Sequence, residues 1–136
     1  MEIIIQRESS LDPNEFKDVL IRSTLGERRP IENMNRIRLM CEQANLIVSA
    51  RHNGRLIGIA RSISDFTFAT YLSDLAVDEA YQKQGIGKKL IAFTQAEAPE
   101  ATLILLAAPK AISYYPKIGM EQYEYCFLLK PNESLQ

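Results

Sequence analysis

An apolar run, Leu75-Ala-Val77, passes through Gln82-Lys-Gln-Gly85-Ile-Gly87 into a helical pattern that keeps Ile86, Leu90 and Phe93 or Thr94 on one side. The chain must therefore carry a strand, then a glycine turn, then an amphipathic helix. Gly85 and Gly87 lack a Cβ, so the backbone can turn tightly and bring its N–H groups close to a ligand. The helix that opens there adds unpaired donors and a positive dipole end, which suit an anion such as a pyrophosphate. Dinucleotide folds and P-loops use the same physics, but the third glycine of a dinucleotide fingerprint is replaced by Leu90 and no Gly-Lys-Ser/Thr ending is present.

The other elements follow from local pattern. Glu2 to Arg7 reads as a β-branched strand, and Asp12-Pro13 as the cap and first residue of a helix running to Ser23, with Phe16, Val19 and Leu20 on its buried side. Helical spacing returns from Ile31 to Ala44 after Gly26-Glu-Arg-Arg-Pro30. Two apolar runs flank Asn53-Gly54, a pair suited to the positive φ angles of a type I′ hairpin. Tyr71–Val77 is the next strand, and the helix from Ile86 to Glu97 connects it to an apolar strand from Thr102 to Ala108. That connection makes a parallel pair and a mixed sheet. Pro109 starts a short helix through Tyr115, and Tyr123–Lys130 reads as a last strand.

Composition narrows the function. With 136 residues and a net charge of −1 the chain reads as one domain, 1–136, and is no general binder of nucleic acid or of anionic membranes. No apolar run approaches a membrane span and the N-terminus lacks the features of a leader, so a cytoplasmic protein is expected. Cys41 and Cys126 have no metal-ligand spacing and are expected as buried, reduced thiols. His52, beside the Asn53-Gly54 turn, is expected to be solvated, and no metal site is expected.

The order Leu75-Ala-Val77 followed by Gln82-x-x-Gly85-x-Gly87 resembles the cofactor motif of the GCN5-related N-acetyltransferases (GNAT), and Tyr114-Tyr115-x-Lys117-x-Gly119-Met120 resembles their second signature. Met120 stands where an aromatic is usual, and Ala108 where an asparagine is frequent. The resemblance covers almost the whole chain. It implies an α/β (α+β) fold with a mixed, mostly antiparallel central sheet, about four flanking helices and a strand–helix–strand core that binds acetyl-CoA. By the same likeness, the backbone of Leu75, Ala76 and Val77 would pair with the pantetheine arm, and Gln82, Lys83, Gln84, Gly85, Ile86, Gly87 and Lys88 would surround the pyrophosphate.

The implied reaction is transfer of an acetyl group to a primary amine of a small molecule or peptide, by direct attack in a ternary complex and with a polarising N–H near a strand bulge. Tyr115 matches the family's proton donor to the coenzyme A sulfur; its alternative is a packed tyrosine with a merely bonded hydroxyl. Asp74 is the candidate base, directly or through water, or else a structural carboxylate. Asp65 is a second candidate, or a turn cap; Tyr71 could line the acceptor cleft. Arg28 and Arg29 could grip a carboxylate or phosphate of the acceptor, or belong to a solvated loop. A non-catalytic acyl-CoA sensor is the alternative function. Exchange or pairing of the final strand, Tyr123 to Leu129, would make a homodimer.

Overall fold

The computed structural model describes residues 2–136, which divide into two units, one ending at Leu106 and the other spanning Ala107–Gln136. In the first unit the strands β1 (Ile4–Glu8), β2 (Leu46–His52), β3 (Arg55–Ser64), β4 (Ala69–Val77) and β5 (Thr102–Ile104) form a sheet in that order. Successive pairs from β1 to β4 are antiparallel, and β5 joins β4 in parallel. The expected mixed, mostly antiparallel sheet is what the chain forms. Asn53 (φ 52°) and Gly54 (φ 81°) make the tight β2–β3 turn.

Helices cover the two faces differently. Asp12 accepts a bond from the Glu15 N–H and starts α1 (Pro13–Arg22), whose Phe16, Val19 and Leu20 pack with Ile37 and Cys41 of α2 (Met34–Gln43) against Ile47, Ile59 and Ala76 of the sheet. The other face buries Leu46, Val48, Ala50, Ile57, Ala60 and Leu72 against Ile86 and Leu90 of α3 (Ile86–Glu97). Each valine, leucine, isoleucine or phenylalanine among them contributes about 1.5–3 kcal/mol on burial. Gly58 lets α3 sit close, because a Cβ there would lie 3.2 Å from the Leu90 Cδ1 atom.

Several expectations need correction. The second helix begins at Met34 rather than Ile31, since the Asn33 side chain accepts from the Arg36 N–H and residues 30–33 are turns. β5 ends at Ile104 and is not buried: its pairing with β4 covers only Ala69–Tyr71, so the rest of the apolar run finds no ladder. Tyr123–Lys130 forms no strand, and Tyr123, Tyr125 and Phe127 are exposed, as is Cys126. The second unit instead holds a 3-10 turn at Pro109–Ala111 and a short helix α4 (Tyr114–Lys117), ended by Gly119 at φ 101°.

Candidate active site

The site begins with an interrupted strand. Arg61 lies opposite Asp74 and Ser62 opposite Leu72, so Ser73 is a bulge with no counterpart on β3. After the bulge, the Asp78 N–H donates to the Ile57 carbonyl at 2.8 Å; counting back in register makes Ala76 and Asp74 the residues bonded to β3. Leu75 and Val77 therefore turn their N–H and C=O groups away from β3. In agreement, the Val77 carbonyl accepts from Gln82 Nε2 at 2.9 Å. Because β5 pairs only as far as Tyr71, that outer edge of Leu75–Val77 has no sheet partner among the described residues, and an unpaired edge is what strand addition requires.

At the far end of this edge the glycine turn opens α3. Gly85 takes φ 79° with nothing within 4 Å of its absent Cβ, so the glycine is needed for its conformation and not for packing. Lys83 is also left-handed, at φ 64°. No side chain caps the helix and no acidic residue lies in its first turn, which leaves its N-terminal N–H groups without a side-chain acceptor, the condition under which a helix start suits an anion. Gln84 and Lys88 are exposed, Gly87 is half-buried, and Ile86 anchors the turn in the core. Just upstream, Asp78 accepts from the Ala80 N–H and pairs with Arg22, while His52 Nδ1 bonds Tyr81 Oη at 2.8 Å. His52 is thus half-buried and tied to the approach to the loop, not solvated as its position in a hairpin suggested.

Asp74 stands in another environment. Its side chain has no exposed surface, and its oxygens accept from the Nε atoms of Arg29 and Arg61. The same guanidinium groups reach the bulge: Arg29 Nη2 donates to the Ser73 carbonyl at 2.8 Å, and Arg61 Nη2 to Ser73 Oγ at 3.0 Å. Arg61 Nη1 also donates to the Met40 carbonyl at the end of α2. Asp74 is thus held by two arginines rather than by loop N–H groups, with both of its oxygens engaged. Arg29 likewise faces inward to Asp74, whereas Arg28 is exposed. Arg61 escaped the sequence reading, although a lone charge within the apolar run Leu56–Ile63 signals a buried counter-charge.

Asp65 is a turn cap, because its Oδ1 accepts from the N–H groups of Phe68, Thr67 and Ala69, which hold the exposed carboxyl below its ordinary value. Tyr71 is partly exposed on β4, between Ile63 and Ile104. In the second unit Tyr115 packs edge-on against Tyr114, with ring centroids 5.2 Å apart, and burial, assisted by Tyr114, raises its hydroxyl pKa above the ordinary tyrosine value. No helix among the described residues is long and apolar enough to cross a membrane, and no cluster of metal ligands occurs among them.

Comparison with known proteins points one way. The chain is 26% identical over 140 residues to an uncharacterized N-acetyltransferase of Pyropia yezoensis, covering 85% of this chain and 78% of that one. It is 37% identical over 70 residues to a histone acetyltransferase of Glycine max, there covering 49% of this chain and 30% of the relative. A GNAT family acetyltransferase from Streptococcus pneumoniae superposes with a TM-score of 0.81 at 19% identity, over 98% of this chain and 100% of the other. An aminoglycoside N-acetyltransferase in complex with CoA does so with a TM-score of 0.71 at 14% identity, over 96% and 95%. The family model of the acetyltransferase (GNAT) domain matches residues 17–126, and with the open strand edge and uncapped glycine turn in place, the chain belongs to that family and is an acetyltransferase.

Proposed function

We propose that the protein is an N-acetyltransferase that moves the acetyl group of acetyl-CoA to a primary amine of a small molecule or peptide, by direct attack in a ternary complex. One observation carries the reading: the unpaired edge of Leu75–Val77 leads directly to the uncapped N-terminus of α3. A thiol-bearing arm ending in a pyrophosphate has the two chemistries this edge and turn accept, amide pairing followed by anion binding. Leu75 and Val77 would hold the arm, and Lys83, Gly85, Ile86, Gly87 and Lys88 the phosphates. Gln82 shapes the turn through its bond to Val77, and Gln84 is free to reach the ligand. Acetyl-CoA supplies a thioester whose carbonyl is open to attack.

The chain's own part is position and proton management. An acceptor amine must lose a proton, since a free alkylamine has a pKa of about 10.4. Tyr115 is the proposed proton donor to the departing sulfur, a role supported by the Tyr114-Tyr115 signature and by a hydroxyl kept protonated at neutral pH. Tyr71 and Arg28 remain the proposed acceptor-facing residues. Both units are proposed to form one acetyltransferase domain, in keeping with a family match that spans residues 17–126. The two unpaired thiols suit a reducing compartment such as the cytoplasm.

The test is release of free coenzyme A thiol on adding a panel of primary amines to protein and acetyl-CoA. Turnover with at least one amine, lowered strongly in Tyr115→Phe while acetyl-CoA binding is kept, is the expected result. Undiminished turnover in Tyr115→Phe would remove that residue from the chemistry. Absence of amine-dependent thiol release across the panel would count against the acceptor class.

A further inference from the structure

The bulge at Ser73 decides which backbone groups face the open edge. Before it, the Asp65 N–H donates to the Ala69 carbonyl, so residues 69 and 71 bond to β3 and Leu72 points outward. Continued without interruption, that alternation would turn Asp74 and Ala76 outward. The extra residue shifts it by one, and Leu75 and Val77 take their place. The same shift moves Asp74 and Ala76 to the face of α1 and α2, while Leu75 and Val77 join the α3 face.

A bulge leaves its own residue without ladder partners. Ser73 is served instead by side chains: Arg29 satisfies its carbonyl and Arg61 its hydroxyl, and Asp74 sits between the two guanidinium groups and holds both in place. The three segments so joined are distant in sequence: the stretch after α1 that carries Arg29, the strand β3 that carries Arg61, and the end of α2 at Met40.

We propose that Arg29, Arg61 and Asp74 form a clamp whose task is to hold the Ser73 bulge, and thereby the register in which Leu75 and Val77 are presented at the ligand-binding edge. These are positioning residues. The clamp gives a reason for placing a buried carboxylate next to the unpaired edge of β4 without asking it to take a proton. It rests on the proposed acetyl-CoA reading only for the identity of the ligand; the mechanical claim about β4 stands apart from it.

The experiment compares wild type with Arg29→Gln, Arg29→Lys and Ser73→Ala, each checked by circular dichroism for native secondary structure. Amide hydrogen exchange along β4 and calorimetric titration with acetyl-CoA are the two readouts. In Arg29→Gln, exchange should accelerate several-fold at residues 72–77 and not in β1 or β2, and acetyl-CoA affinity should fall several-fold. Ser73→Ala should change both in the same direction but less, and Arg29→Lys should lie between Arg29→Gln and wild type. Where wild type binds no acetyl-CoA, the exchange pattern still decides the clamp. Uniform acceleration over the whole sheet, or none at 72–77, would overturn it, leaving the ion pairs as contributors to stability alone. So would an Asp74→Asn variant with wild-type exchange whose turnover has lost the acidic limb of its pH profile, since that is the behaviour of a base.

Discussion

Asp74→Asn should destabilise the protein by about 3–4 kcal/mol, because breaking a buried ion pair by removing one partner costs about 3–5 kcal/mol and asparagine keeps one acceptor oxygen. The structure says where the cost falls. Arg61, with 6% of its side chain exposed, cannot reach water when the carboxylate charge is lost, whereas Arg29, at 21%, can partly do so. Arg29→Ala should therefore be milder, about 2 kcal/mol, since Asp74 keeps Arg61 and the loss is that of charge-assisted bonds. Against a total stability of about 5–15 kcal/mol, both effects are measurable. Urea unfolding at neutral pH, followed by circular dichroism and tyrosine fluorescence with coincident transitions required, gives the two numbers. A loss below about 1 kcal/mol for Asp74→Asn would refute the reasoning, as would a larger loss for Arg29→Ala.

Further consequences follow from the titrating groups. Burial opposes ionisation of Asp78, but the Ala80 N–H and Arg22 outweigh it and hold its folded pKa below the unfolded value. Its contribution is therefore complete above the unfolded carboxylate pKa of about 3.9 and is lost as pH falls through the folded value. Asp78→Asn should flatten the fall in urea midpoint below about pH 4. Tyr115 has a raised pKa, so an alkaline limb due to its ionisation should lie above the ordinary tyrosine value of about 10 and vanish in Tyr115→Phe; a limb near 8 that survives the substitution would assign it elsewhere. Burial pushes the Cys41 thiol up to about 11 while Cys126 is exposed, so one thiol should react rapidly with a disulfide reagent at mildly alkaline pH and the other only on unfolding. Rapid reaction of both thiols in the folded protein would contradict that placement.

How legible the fold was depended on whether a feature is local. The Asn53-Gly54 hairpin, the Asp12 cap and the span of α3 are written in adjacent residues, and all three stand where the pattern put them. The apolar run from Thr102 and the alternation of Tyr123, Tyr125 and Phe127 also look like strands, yet a strand exists only where a ladder partner does, and the partner is not part of the local pattern. For the same reason Ser73 could not be recognised as a bulge: its status follows from the register between β3 and β4. The glycine turn was legible because its chemistry lies in the main chain and needs only Gly85 and its neighbours. The surroundings of Asp74 were not, since they are set by Arg29 and Arg61, which lie 45 and 13 residues away in sequence.

The central claim is that the edge of β4 and the N-terminus of α3 bind acetyl-CoA, and calorimetric titration of wild type, Gly85→Ala and Gly85→Glu tests it most directly. A Cβ at position 85 meets no protein atom within 4 Å, so both substitutions carry the same backbone strain, about 1–2 kcal/mol, and differ in the longer, charged side chain placed at the turn. Saturable binding by wild type, retained though weakened in Gly85→Ala and abolished in a folded Gly85→Glu, is the predicted result. No binding by the folded wild type, or equal binding by Gly85→Glu, would contradict the account.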